Sequence, residues 1–99
     1  MVTVTVLSRP GCHLCEVVLA TVRLVNLTHP FVLEHVDVES DPRLEARYGT
    51  RIPVILIDGA EALSGRVTDG QLRWALKKAR WSRPVSRILS RLKETLRRR

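Results

Sequence analysis

The chain has few of the features that mark the more specialised classes of protein. It contains only two cysteines in 99 residues, which excludes a secreted scaffold held together by many disulfides. No apolar run exceeds four residues, so we predict no transmembrane helix. The first residues lack the basic region, the long apolar stretch and the small-residue cleavage site of a secretory signal, and the cytoplasm is therefore the expected location.

What is present is the composition of a globular domain and an uneven excess of positive charge. Hydrophobic residues make up 44% of the chain and charged residues 27%, and the formal net charge is +7. Residues 1–79 carry nine basic and nine acidic side chains, whereas residues 80–99 carry eight basic side chains and one acidic. We therefore predict a neutral domain over residues 1–79 and a basic tail over residues 80–99, which accounts for the whole excess.

Hydrophobic periodicity predicts the element order β-α-β-α-β-β-α within the domain. Alternating or continuous apolar patterns indicate strands over residues 2–6, 31–38, 53–58 and 60–64. Helical patterns begin at about residues 12, 41 and 68, the last with the capping-box spacing of Thr68 and Gln71. A helix between the first two strands predicts that they are parallel, and Asp58-Gly59 predicts an antiparallel hairpin between the last two. The result is a small mixed sheet with helices on both faces.

The segment with the clearest chemistry is Cys12-His13-Leu14-Cys15, at the junction of the first strand and the first helix. Backbone N–H groups and the positive dipole end at a helix start favour a thiolate, and Arg9 can add positive charge. We expect Cys15, one turn further on, to be less exposed and within disulfide range of Cys12. Cys12 would then attack a substrate disulfide, and Cys15 would resolve the mixed disulfide. His13 either tunes the thiol or simply occupies an exposed position in the first turn.

The two cysteines have two other interpretations. Cysteine is often a small buried core residue, although the polar neighbours in this segment argue against that role. Cys12 and Cys15 also form a zinc-like spacing with His29 and His35. In a zinc finger of that type both histidines lie on one helix, whereas here Pro30 follows His29 and His35 falls in a predicted strand. We expect no metal site.

Several motifs together resemble the glutaredoxins. Residues 7–15 are similar to the glutaredoxin active-site segment, and residues 37–39, 48–54 and 57–59 follow in matching order, so that the likeness covers about residues 2–79. It is greatest to short bacterial glutaredoxin-like proteins. The resemblance implies an α/β thioredoxin/glutaredoxin-like three-layer fold with a four-stranded mixed sheet, and a thiol–disulfide oxidoreductase with a redox-active disulfide that serves electron transport.

The same resemblance supplies candidate substrate-binding residues. It implies that Pro53 is preceded by a cis peptide bond and faces the cysteines, and that the backbone of Ile52 pairs with an extended substrate. Glutaredoxins that use glutathione carry two adjacent glycines before a Ser/Thr-Asp pair, whereas Arg66 replaces the second glycine here. Arg9, His13, Ile52, Pro53 and Arg66 are the candidate substrate-binding residues. We expect no bound cofactor. Glutathione is a candidate reductant or co-substrate, and the expected partner is a disulfide-containing protein or a glutathione mixed disulfide.

The basic tail contains a second amphipathic pattern. Apolar residues recur at helical spacing after Pro84, namely Val85, Ile88, Leu89, Leu92 and Leu96. This stripe can pack back near Trp74 and Trp81, or mediate self-association or membrane-surface contact through residues 84–99. No specific nucleic acid is expected, because no recognition motif accompanies the charge. The alternative to an enzyme is therefore a redox-inactive thioredoxin-fold binding module, docked on a partner or an anionic surface by its basic C-terminal helix.

Overall fold

The computed structural model describes residues 1–81, and the predicted tail helix lies outside them. Four strands and two helices follow along the chain in the order β1 (Thr3–Ser8), α1 (His13–Thr28), β2 (Val32–Asp37), α2 (Pro42–Tyr48), β3 (Val54–Ile57) and β4 (Ala60–Ser64). A 3-10 turn over Val38–Ser40 joins β2 to α2. Residues 69–81 are helical and are named α3. The predicted element order is confirmed, and the 3-10 turn is an addition to it.

The four strands form one mixed sheet in the order β2-β1-β3-β4. β1 runs parallel to β2 and antiparallel to β3, and β3 and β4 form an antiparallel hairpin. The hairpin turns at Asp58 and Gly59, which have φ values of 51° and 84°. Positive φ at both central residues is the requirement of the two-residue turns that favour Asp-Gly. The predicted parallel pair and the predicted hairpin are both confirmed.

Helices cover both faces of this sheet. Successive side chains of a strand point to opposite sides, so the apolar residues of β1 and β3 form a core on each face. One face packs on α1 and α3 through a core of Val2, Val4, Val6, Val18, Val22, Val25, Phe31, Ile55, Ile57, Val67, Leu72 and Leu76. The other face packs on α2 through a smaller core of Leu7, Val38, Tyr48 and Val54. The three-layer α/β arrangement that the resemblance implied is therefore confirmed.

The residues that begin the helices act as the sequence indicated. Thr68 and Gln71 form a reciprocal capping box: the Thr68 N–H donates to Gln71 Oε1 at 2.9 Å, and the Gln71 N–H donates to Thr68 Oγ1 at 3.2 Å. The first strand is longer than predicted. It continues to Ser8 rather than ending at Val6, because its pairing with β2 extends to Ser8 opposite Asp37.

Candidate active site

The two cysteines form a disulfide at the start of α1. Cys12 is the N-cap residue, with an extended backbone, and the Cα atoms of Cys12 and Cys15 are 5.2 Å apart. The backbone N–H of Cys15 donates to Cys12 Sγ at 3.2 Å. The Cys15 side chain is only 3% exposed, whereas Cys12 is half-buried. The sequence therefore identified both the more accessible sulfur and the one behind it.

The turn before the cysteines is fixed by Gly11 and Arg9. Gly11 has a φ of 78°, a conformation that side-chain-bearing residues rarely adopt. The guanidinium of Arg9 donates to Glu45 Oε1 at 2.6 Å and to the carbonyl of Gly49 at 2.8 Å, and lies 4.0 Å from Glu39. Arg9 thus ties the active-site turn to α2, and carboxylates balance its charge. Its predicted support of the thiolate and its part in substrate binding stay predictions.

A cleft of about 290 Å³ opens beside the disulfide. Its lining includes both cysteines together with polar groups from β1 and β2, namely Ser8, His35 and Asp37. The Nε2 atom of His35 lies 2.6 Å from Oγ of the buried Ser8. The parallel pairing of β1 and β2 produces this contact, since Ser8 lies opposite Asp37 and His35 precedes that residue by two positions on the same face.

The Ser8–His35 pair is not predicted by the sequence. From the sequence alone, His35 is a strand residue or a candidate metal ligand. The signal was available in part, because His35 and Asp37 alternate with apolar residues along β2. The register between two strands that are far apart in sequence was not available, and it is that register which brings His35 to Ser8 and the cysteines.

The histidines of the zinc-like spacing lie in different places. His35 lines the cysteine cleft, whereas His29 follows α1 and lines a separate depression with Trp74 and Trp81. Within the described part of the chain, no three His, Cys, Asp or Glu side chains are grouped so that they could hold a metal ion. His13 is exposed on the first turn of α1, with Nδ1 4.0 Å from a carboxylate oxygen of Glu16.

The remaining predicted site residues come from two loops that meet. The Ile52–Pro53 peptide bond is cis, as the resemblance implied, and Pro53 is buried at the start of β3. The N–H of Gly65 donates to the Pro53 carbonyl at 2.8 Å, which joins the proline loop to the loop that carries the exposed Arg66. Ile52 is half-buried against the α2-side core. The roles of these residues toward a substrate stay predictions.

Together, a four-stranded mixed sheet between two helical layers and a Cys-x-x-Cys disulfide at the start of α1 define a thioredoxin-like protein. The family model described as "Glutaredoxin-like domain (DUF836)" matches residues 3–77, and the chain belongs to this family. The fold and the Cys12–Cys15 disulfide point to thiol–disulfide redox chemistry. No helix among residues 1–81 is long and apolar enough to cross a membrane.

Similar proteins share most of the length of the chain. An uncharacterized protein of Mycobacterium tuberculosis is 29% identical over 91 residues, which are 87% of this chain and 94% of that protein. An X-ray structure of a protein from X. campestris has a TM-score of 0.67 at 26% identity, and the match covers 77% of this chain and 97% of the other. A mutant thioredoxin from Halobacterium salinarum has a TM-score of 0.62 at 18% identity, and the match covers 78% of this chain and 73% of the thioredoxin. This likeness shows that the two proteins share a fold.

Proposed function

We propose that this protein is a thiol–disulfide oxidoreductase in which Cys12 is the nucleophile and Cys15 the resolving thiol. The observation that carries the proposal is the position of Cys12 Sγ. It lies at the start of α1, where it accepts the Cys15 N–H at 3.2 Å. In the reduced protein the same N–H group and the positive end of the helix dipole would stabilise a Cys12 thiolate.

The proposed reaction transfers two electrons to the substrate in two exchanges. The Cys12 thiolate attacks one sulfur of a substrate disulfide, so that a Cys12–substrate disulfide forms and the first substrate thiolate leaves. Cys15 then loses its proton and attacks Cys12 Sγ, which forms the Cys12–Cys15 disulfide and releases the second substrate thiolate. The two substrate thiolates take up two protons. Two molecules of glutathione, which leave as glutathione disulfide, or one protein dithiol would return the two electrons to the cysteine pair.

The cleft contains a side chain that is suited to accept the proton of Cys15. Cys15 is buried, and a buried thiol needs a proton acceptor before it can attack. His35 lines the same cleft, and histidine is the side chain that most often acts as a general base. Ser8 bonds to one ring nitrogen and fixes the orientation of the ring. We assign proton acceptance from Cys15 to His35, directly or through a water molecule in the cleft.

The substrate would approach Cys12 from the side of the proline loop. In this proposal the backbone of Ile52 pairs with an extended segment that carries the disulfide, and Pro53 forms the wall beside the sulfurs. His13 is exposed next to the nucleophile, and Arg66 provides a cation on the neighbouring loop. An arginine can pair with a carboxylate of glutathione or of a protein substrate. Both substrate types therefore belong in the test.

Trapping of the intermediate tests the proposal. The reduced Cys15→Ser variant should accumulate a covalent adduct on Cys12, either with a peptide from a disulfide-bonded protein or with glutathione from a glutathione mixed disulfide. Mass spectrometry identifies the adduct and the cysteine that carries it. The matched Cys12→Ser variant should form no adduct at the same pH. Equal labelling of the two variants would contradict the assignment, and absence of labelling in both would favour the redox-inactive binding module.

A further inference from the structure

We propose that α3 and the end of α1 form a docking surface for an anionic lipid bilayer. The surface surrounds a shallow depression of about 660 Å³ lined by α3 and by His29 at the end of α1. Its lining residues are His29, Gly70, Arg73, Trp74, Leu76, Lys77, Arg80 and Trp81. We call this set the tryptophan surface. It lies away from the cysteine cleft and has no part in the redox proposal.

The apolar part of this surface is too exposed to be explained by the core. Trp74 is 59% exposed and Trp81 is 79% exposed, and they are the two tryptophans of the entire chain. They lie seven residues apart on one helix, so their Cα atoms are separated by about 10 Å along the axis. Leu24 and Leu27, in the last turns of α1 before His29, are also exposed, although neither lines the depression itself. Tryptophan and leucine are the residues by which interfacial helices enter the headgroup region.

The polar part of the surface is cationic. Arg73, Lys77 and Arg80 line the depression, and no acidic side chain does. One of these charges is partly balanced, since Arg73 lies 3.1 Å from the carboxylate of Asp69. Arg80 donates to the Pro30 carbonyl at 2.8 Å and keeps its charge at the rim. The complementary partner is therefore anionic, as are the phosphatidylglycerol-type headgroups of a charged bilayer.

A bilayer fits the surface better than a nucleic acid does. Exposed tryptophans could stack on single-stranded bases, but Leu24 and Leu27 have no counterpart in such a complex. In a bilayer interface, both the aromatic and the aliphatic side chains leave water. Docking would also keep the redox site free. Cys12 and His29 lie at opposite ends of the 16-residue helix α1, which is about 24 Å long.

Vesicle binding by the full chain tests the proposal. The probes are vesicles of phosphatidylcholine alone and of an equal mixture of phosphatidylcholine and phosphatidylglycerol. Because both tryptophans belong to the surface, intrinsic fluorescence reports on it directly. We expect co-sedimentation with the anionic vesicles and a blue shift of the emission, and neither with phosphatidylcholine alone. The Trp74→Ser and Trp81→Ser variants should each bind more weakly, while the remaining tryptophan still reports on binding.

Matched substitutions elsewhere separate this surface from the charge of residues 82–99, which every variant keeps. Arg73→Gln combined with Lys77→Gln should lower the vesicle partition coefficient by roughly fivefold for each charge removed. The controls are Arg43→Gln with Arg47→Gln on α2, across the sheet, and the exposed Val17→Ser near the start of α1. All three control substitutions should bind less than twofold more weakly than the unmodified chain.

Three results would overturn the proposal. The first is vesicle binding without a blue shift, with equal losses in the surface and control variants, because general charge attraction would then account for it. The second is binding to a single-stranded oligonucleotide but not to anionic vesicles, which would assign the surface to nucleic acid. The third is tryptophan emission that is already blue-shifted in the full chain without vesicles and does not change when anionic vesicles are added, which would assign the surface to the chain's own residues 84–99. Circular dichroism of each variant verifies that the helices are intact.

Discussion

The backbone N–H of Cys15 donates a hydrogen bond to the sulfur of Cys12 across 3.2 Å. The contact exists because Cys12 is the N-cap of α1 and its side chain folds back over the first turn, as serine or aspartate does in other helices. In the reduced protein, a thiolate in this position would be stabilised both by a hydrogen-bond donor and by the positive end of the helix dipole. It is the structural basis for assigning the nucleophilic role to Cys12 and not to Cys15.

The first prediction concerns the ionisation of this sulfur. In the reduced Cys15→Ser variant, the pKa of Cys12 should lie below that of a free cysteine, because the Cys15 N–H and the start of the helix stabilise the thiolate. The ultraviolet absorbance of the thiolate, followed as a function of pH, gives the titration directly. Reduced Cys12→Ser, with only the buried Cys15, is the matched control and should titrate at higher pH. A Cys12 pKa equal to or above that of a free cysteine would contradict the argument that the start of α1 stabilises the thiolate.

A second prediction tests the role of His35. His35→Gln keeps a polar side chain but removes the proton acceptor, and it should slow the resolution of a preformed Cys12–substrate disulfide on the order of 10²-fold. The initial attack by Cys12 should be unchanged, since His35 is assigned to the Cys15 proton. Rapid-mixing kinetics separate the two steps. The rate loss should shrink as the pH rises, because hydroxide ionises Cys15 without help.

The control for His35 is Ser8→Ala, which removes the partner of the ring at 2.6 Å and leaves the imidazole in place. This variant should slow resolution less than His35→Gln does. If His35→Gln and the unmodified chain resolve the mixed disulfide at the same rate over the whole pH range, His35 has no part in the proton transfer.

A third prediction addresses the close packing behind Arg9. A Cβ atom on Gly49 would overlap the side chain and the carbonyl of Glu45, which is the carboxylate that holds Arg9. Gly49→Ala should therefore lower the free energy of unfolding by about 1–3 kcal/mol, as measured by urea denaturation.

The matched substitution for Gly49→Ala is Gly70→Ala. Gly70 lies in α3, and nothing would lie within 4 Å of an added Cβ. Alanine is the better helix former, so this variant should be more stable than the unmodified chain by about 0.4–1 kcal/mol. A loss of stability in both variants, or in neither, would show that the contact with Glu45 is not what requires glycine at position 49.

The features that could be predicted from sequence are local ones. Thr68 and Gln71 are three residues apart, so their reciprocal bonds follow from the chain itself. The Asp58-Gly59 turn likewise depends on two neighbouring residues with positive φ. Cys12 and Cys15 lie about one helical turn apart, so the spacing alone brings their side chains together. In each case the partner is fixed by a short stretch of backbone with known geometry.

The features that could not be predicted depend on distant partners. His35 meets Ser8 across 27 positions of sequence, and Arg9 meets Glu45 across 36. Both contacts follow from strand register and from the packing of α2, which no periodicity encodes. The cis bond before Pro53 came from the resemblance to glutaredoxins and not from the residues, since most X-Pro bonds are trans. A cluster of polar groups around the cysteines thus became visible only in three dimensions.

Catalysis of disulfide reduction by the full chain tests the central claim most directly. With dithiothreitol as the electron source, the unmodified protein should accelerate the reduction of insulin disulfides well above the rate of dithiothreitol alone. Cys12→Ser should fall to that uncatalysed rate, whereas Cys15→Ser should retain one stoichiometric exchange and little turnover. If Cys12→Ser, shown to be folded, reduces insulin as fast as the unmodified protein, Cys12 is not the nucleophile and the account is wrong.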